Sequence, residues 1–130
     1  MPELIVHKEN IPIYNGYLTF FIYDSEDDFL KYDKKNHIVG RSVLSDATAY
    51  VSESSFYNKG LHYYVIEVVF KKENLKDVNT GVIAHEAFHV VEHIFKHMGE
   101  KNSIKASEPA AYLLGYVAER IRAFLDKNVK

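Results

Sequence analysis

The 130-residue chain contains no cysteine. That absence excludes disulfide frameworks, iron–sulfur clusters and thiolate metal sites, so any bound metal must be held by histidine and carboxylate. No single sign of charge dominates: 18 acidic and 16 basic residues are interspersed, for a formal net charge of -2, which gives no electrostatic argument for nucleic acid as a partner. No apolar run approaches the length of a membrane span, so no membrane partner is expected. The first residues, Met1 to Tyr14, carry no signal-peptide core, because Glu3, His7, Lys8 and Glu9 interrupt it, and the expected location is the cytoplasm. There is no internal repeat, low-complexity tract or Pro/Gly-rich linker, which points to a single domain over residues 1–130.

What is present is an ordinary globular composition with enough apolar and aromatic content for a core. Gly16 to Tyr23 is dense in aromatic and β-branched residues and reads as a buried strand. Ser25 and Asp28 form a candidate capping box that opens a short helix from Glu26 to about Asp33. Thr48 to Phe56 and Leu61 to Phe70 suit the two strands of a hairpin, with turn chemistry in Asn58-Lys59-Gly60. Lys71 to Val78 is a polar connection whose conformation the sequence leaves open.

From Asn79 the pattern becomes helical. Asn79 or Thr80 is the candidate N-cap and Gly99 the candidate stop. Between them Ala84, Ala87, Phe88, Val91, Ile94, Phe95 and Met98 form an apolar stripe. Ser107-Glu108-Pro109 opens a second helix that directs Ala111, Leu114, Val117, Ala118, Ile121 and Leu125 to the core. Strands first and helices last predict an α+β fold: a small antiparallel or mixed sheet followed by two long helices.

The first of these helices carries His85-Glu86-Ala87-Phe88-His89. Histidines four apart rise from one helix face about one turn apart, so both rings can reach one ion. Glu86, between them, is placed to take a proton from water activated by the metal and not to ligate it. This is the HExxH arrangement of zinc proteases. A catalytic zinc takes a third protein ligand and keeps one position open, and Glu108 is the candidate.

Residues 90 to 107, 18 in number, separate His89 from Glu108. That layout resembles the gluzincins, the thermolysin-like and aminopeptidase class of zincins, over roughly residues 79–125. The resemblance implies a zincin-like fold, a Zn2+ cofactor on His85, His89 and Glu108, and a peptide or protein substrate held beside an extended strand, here Thr48 to Phe56 or Leu61 to Phe70. The chain is too short for the second lobe that large gluzincins use to form their cleft. It is also similar to small phage-encoded proteins in which an HExxH helix is followed by Glu-Pro and an Ala-Tyr-Leu-x-Gly-Tyr stretch, here Ala111 to Tyr116.

Two further readings accompany this one. His89-Val90-Val91-Glu92-His93 matches the inverted motif HxxEH, with Glu92 as base and His89 and His93 as ligands. In the HExxH register Glu92 instead orients a ligand histidine. Tyr112, one turn after Glu108, is a candidate catalytic hydroxyl for a developing oxyanion, against the ordinary role of a packed helical tyrosine. The expected activity is zinc-dependent hydrolysis of a peptide or amide bond with Glu86 as general base. The alternative is a catalytically inactive zincin-like module that engages a partner protein.

Overall fold

The computed structural model describes residues 4–11, 16–39, 47–98 and 107–128, without the side chains of Val39, Met98, Ser107 and Glu108. The fold is α+β, with a mixed sheet at the N-terminal side and long helices after it. Two compact units divide at Asp77/Val78: a sheet unit, Met1–Asp77, and a helical unit, Val78–Lys130.

The sheet unit runs β1 (Leu4–Asn10), β2 (Tyr17–Tyr23), α1 (Glu26–Lys35), β3 (Ile38–Val39), β4 (Ala49–Asn58) and β5 (Leu61–Lys71), and ends in a 3₁₀ helix, Lys72–Asp77. The spatial order of the strands is β1-β2-β5-β4-β3. β4 and β5 form the expected hairpin, tightened by Lys59 and Gly60 at φ 52° and 78°, the left-handed turn that glycine adopts without strain. β2 pairs parallel to β5, while β1 pairs antiparallel to β2. β1 and β3 are additions to the expected elements. β1 is a short edge strand with little alternation in burial, and a two-residue β3 leaves no periodic signal.

Six consecutive residues of β5, Val65 to Phe70, are buried, as are Leu18 to Tyr23 of β2. Both faces of the two central strands are therefore covered, which is why they are largely apolar, with Thr19 and Glu67 as the polar exceptions. On one face α1 docks through Phe29 and Tyr32. The Phe29 ring lies 4.7 Å from Phe21 and 5.5 Å from Tyr23, and Tyr32 meets Phe21 edge-on at 5.2 Å. Leu4, Val6, Tyr50 and Val69 complete this cluster. α1 starts where its cap predicts: the Asp28 backbone N–H donates to Ser25 Oγ at 3.3 Å, and the Ser25 hydroxyl donates to the Asp28 carboxylate at 3.0 Å.

The helical unit consists of α2 (Thr80–Met98) and α3 (Ser107–Asn128). Asn79 is the N-cap of α2, its Oδ1 accepting from the Val82 N–H at 2.9 Å. Gly99, the expected stop, lies outside the described residues. Arg122, late in α3, donates to Thr80 Oγ1 at the start of α2 at 3.3 Å, so the helices run antiparallel.

Their buried stripes are rotated from those expected. On α2 the buried residues are Ile83, Glu86, Ala87, Val90, Val91, Ile94 and Phe95, while Ala84 and Phe88 face outward. On α3 Leu113, Val117, Ile121, Phe124 and Leu125 are buried, and Ala111 is exposed. Helical spacing alone assigns every apolar residue near the period to the core. The buried arc instead includes Ile83, Glu86 and Val90 and leaves Phe88 outside, so it is set by which face of the helix packs and not by side-chain size.

Candidate metal centre

The site is built on two turns of α2, a helix fixed at its start by the Asn79 cap and along its length by packing against α3. His85, Glu86 and His89 straddle the boundary between its buried arc and its solvent face. His85 is exposed, His89 is half-buried, and Glu86 lies inside the arc at 6% exposure.

The two imidazoles converge. Nε2 of His89 lies 3.1 Å from Nε2 of His85, with the rings nearly perpendicular at 82° and their centroids 4.6 Å apart. Two nitrogens each about 2.0–2.1 Å from a tetrahedral zinc stand about 3.3 Å apart. The pair therefore fits a shared ion after a movement of a few tenths of an ångström.

The protons follow from the neighbours. Glu92 Oε1 lies 2.8 Å from His89 Nδ1, and a carboxylate only accepts, so Nδ1 of His89 carries the hydrogen and donates it. With neutral rings, Nε2 of His89 then holds a free lone pair, to which the His85 Nε2–H donates. Glu92 thus fixes on His89 the tautomer that a metal ligand requires.

Glu86 feels opposing influences. Burial pushes its carboxyl above its ordinary value, and positive charge on His85 or His89, when either ring is protonated, opposes that shift. The result is a basic carboxylate beside the His pair, in the position of a proton acceptor.

Among the described residues no third imidazole or carboxylate joins the pair to make a three-ligand group. The side chain of Glu108, the expected third ligand, lies outside the described residues; its backbone is in the first turn of α3. Tyr112 stands outward on α3 at 77% exposure, with no hydrogen bond to the His pair. Phe88, expected in the apolar stripe, stands on the solvent face of α2 at 43% exposure, its ring 6.2 Å from that of His89. Its place beside the imidazoles was legible only from the rotation of the helix.

No helix among the described residues is long and apolar enough to cross a membrane. The chain matches no protein-family model, no curated protein and no solved structure, so the reading of the centre rests on its own chemistry.

Proposed function

We propose that this chain is a zinc-dependent hydrolase of peptide or amide bonds, with His85, His89 and Glu108 as metal ligands and Glu86 as general base. The observation that carries the reading is the convergence of the two Nε2 atoms at 3.1 Å on one helix face. Exposed imidazoles seldom gain by pointing at each other, since each loses hydration for one neutral hydrogen bond. A shared cation gives the arrangement its purpose.

When bound, zinc would supply Lewis acidity toward both the scissile carbonyl and water. The rest of the chemistry belongs to the chain. His85 and His89 present lone pairs on Nε2, which requires His85 to carry its remaining hydrogen on Nδ1. Glu92 holds the His89 ring in orientation through the 2.8 Å bond. Glu86 accepts a proton on a carboxylate oxygen as water attacks and returns it to the departing amine. Its burial makes it a stronger base than a solvated glutamate.

The HExxH register is favoured over the inverted one by the same contacts. Nε2 of His89 faces His85, and Glu92 is engaged at the opposite nitrogen of that ring, where it orients the histidine.

The test is metal content of the purified full chain after dialysis against zinc, for the wild type and for His85→Ala, His89→Ala, His93→Ala and Glu108→Ala. It is paired with turnover of a quenched fluorescent peptide library by the wild type and Glu86→Gln. About one zinc per chain, lost with His85, His89 or Glu108 but kept without His93, together with Glu86-dependent cleavage, supports the proposal. Zinc that needs His93 and not His85 moves the site to the inverted register. Zinc without turnover leaves the binding module, and no zinc in the wild type overturns the reading.

A further inference from the structure

Phe88 stands between Glu86 and His89 in the sequence and takes no part in ligation or proton transfer. The helical period fixes where it goes. Glu86 is turned about 100° from His85 in one sense around α2, and Phe88 about 100° from His89 in the other. The His pair thus has the base on one flank and a phenylalanine on the opposite flank. Burial agrees, since Glu86 is 6% exposed and Phe88 43%. Along the axis Phe88 lies between the histidines, about 4.5 Å beyond His85 and about 1.5 Å short of His89. Its ring centroid is 6.2 Å from that of His89, at an interplanar angle of 62°, within the range of edge-to-face pairs. One turn earlier on the same flank the residue is Ala84, also exposed, so no longer side chain from that position shares the flank.

A single exposed phenylalanine is ordinary on a protein surface. Among the described residues the exposed large apolar side chains are Leu30, Tyr57, Leu61, Phe88 and Tyr112. Phe88 is set apart by the imidazole that its ring meets. It adds nothing to the buried arc of α2, and its open area is offered to whatever is held at the His pair.

We infer that Phe88 is the specificity-determining residue of this centre, its ring receiving an aromatic or large aliphatic side chain that flanks the bond to be cleaved. This rests on the hydrolase reading above and names the class of peptide which that reading leaves open. A peptide held at the His pair, with water on the Glu86 side, has a neighbouring side chain free for the opposite flank. A side chain laid on the Phe88 ring takes apolar area of both partners out of water. Small and polar side chains gain little there. An acidic one also meets the like charge of Glu92, one turn further along the same flank. Discrimination by one such contact is roughly tenfold to a hundredfold.

The test uses two hydroxamates that share one zinc-binding group and differ by a phenyl ring, acetohydroxamate and 3-phenylpropanohydroxamate. Each is titrated calorimetrically into the zinc-loaded full chain, for the wild type, Phe88→Ala and Phe88→Leu. The phenyl compound should bind the wild type at least about tenfold more tightly. Phe88→Ala should remove that preference with zinc content and acetohydroxamate affinity unchanged, and Phe88→Leu should retain most of it. On cleaved peptides Phe88→Ala should raise KM for substrates with a large apolar side chain beside the cut and leave kcat near the wild-type value. Equal binding of the two hydroxamates by the wild type overturns the inference and leaves the hydrolase reading standing. So does a preference that survives Phe88→Ala, or a parallel loss of acetohydroxamate affinity, which makes Phe88 a structural residue. A wild type that holds no zinc, or holds it and binds neither compound, overturns the hydrolase reading and this inference with it.

Discussion

Among the described residues each unit buries one glutamate, and the two are held by opposite means. Glu67 in the sheet unit receives hydroxyls from Ser52 and Ser54, residues 15 and 13 positions away that reach it only across the β4–β5 register. Glu86 in the helical unit is shaped by its own helix: burial raises its pKa, and the imidazoles immediately before it and three residues after it oppose that shift when protonated. The first carboxylate is desolvated and supplied with donors, the arrangement that keeps a buried charge at tolerable cost. The second is desolvated and left basic beside two lone-pair-bearing rings, the arrangement that chemistry uses. On the proposed reading, the contrast separates a polar group held by the architecture of the sheet from one available for proton transfer.

The comparison breaks most sharply at Glu86. On the proposed reading, Glu86→Gln should keep zinc and lose about 10²–10⁴-fold in peptide turnover, since it removes general-base catalysis and no ligand; loss of zinc along with turnover would make Glu86 a structural residue like Glu67. The next largest effect falls on the sheet. Glu67→Ala should cost about 2–4 kcal/mol of stability in urea unfolding, because it opens a cavity and leaves the buried Ser54 hydroxyl and the half-buried Ser52 hydroxyl without their acceptor. An unchanged midpoint would mean that the bonds from Ser52 and Ser54 to Glu67 add nothing to the stability of the sheet.

Glu92→Ala should weaken zinc about 10–100-fold while leaving the metal-free fold intact, read by competition with a chelating dye. Smaller still is the stability of the metal-free chain. The raised pKa of Glu86 means that the folded state favours its protonated form. That contribution is present below the ordinary carboxylate pKa and is lost as pH rises through the raised value. Glu86→Gln should therefore gain on the wild type in thermal unfolding as pH rises through that window and should show no advantage in acid. Asn79→Ala should cost about 1 kcal/mol through the lost cap, with no change in zinc affinity if the cap only starts the helix.

The helical site was legible because its contacts are local. His85, Glu86, His89 and Glu92 are related by helical spacing, and a helix delivers that geometry wherever it packs. The hairpin was legible for a related reason, since Asn58-Lys59-Gly60 announces the turn and the turn sets the register. Placing Ser52 opposite Glu67 follows from that register, yet neither residue draws notice in a strand read only for its apolar content. The parallel pairing of β2 with β5 joins segments more than forty residues apart and has no local signature.

The amino-acid sequence by itself determined the order of strands and helices, the hairpin, the starts of α1 and α2, and the constellation on α2, because turns, caps and helical period act over a few residues. Tertiary structure alone decided which arc of each helix is buried. It turned Phe88 and Ala84 outward, took Glu86 inward, and brought Lys8, Thr19, Glu67 and Ser52 into one row across four strands. Burial and strand register are set by which distant surfaces exclude water together, and no window along the chain contains both partners.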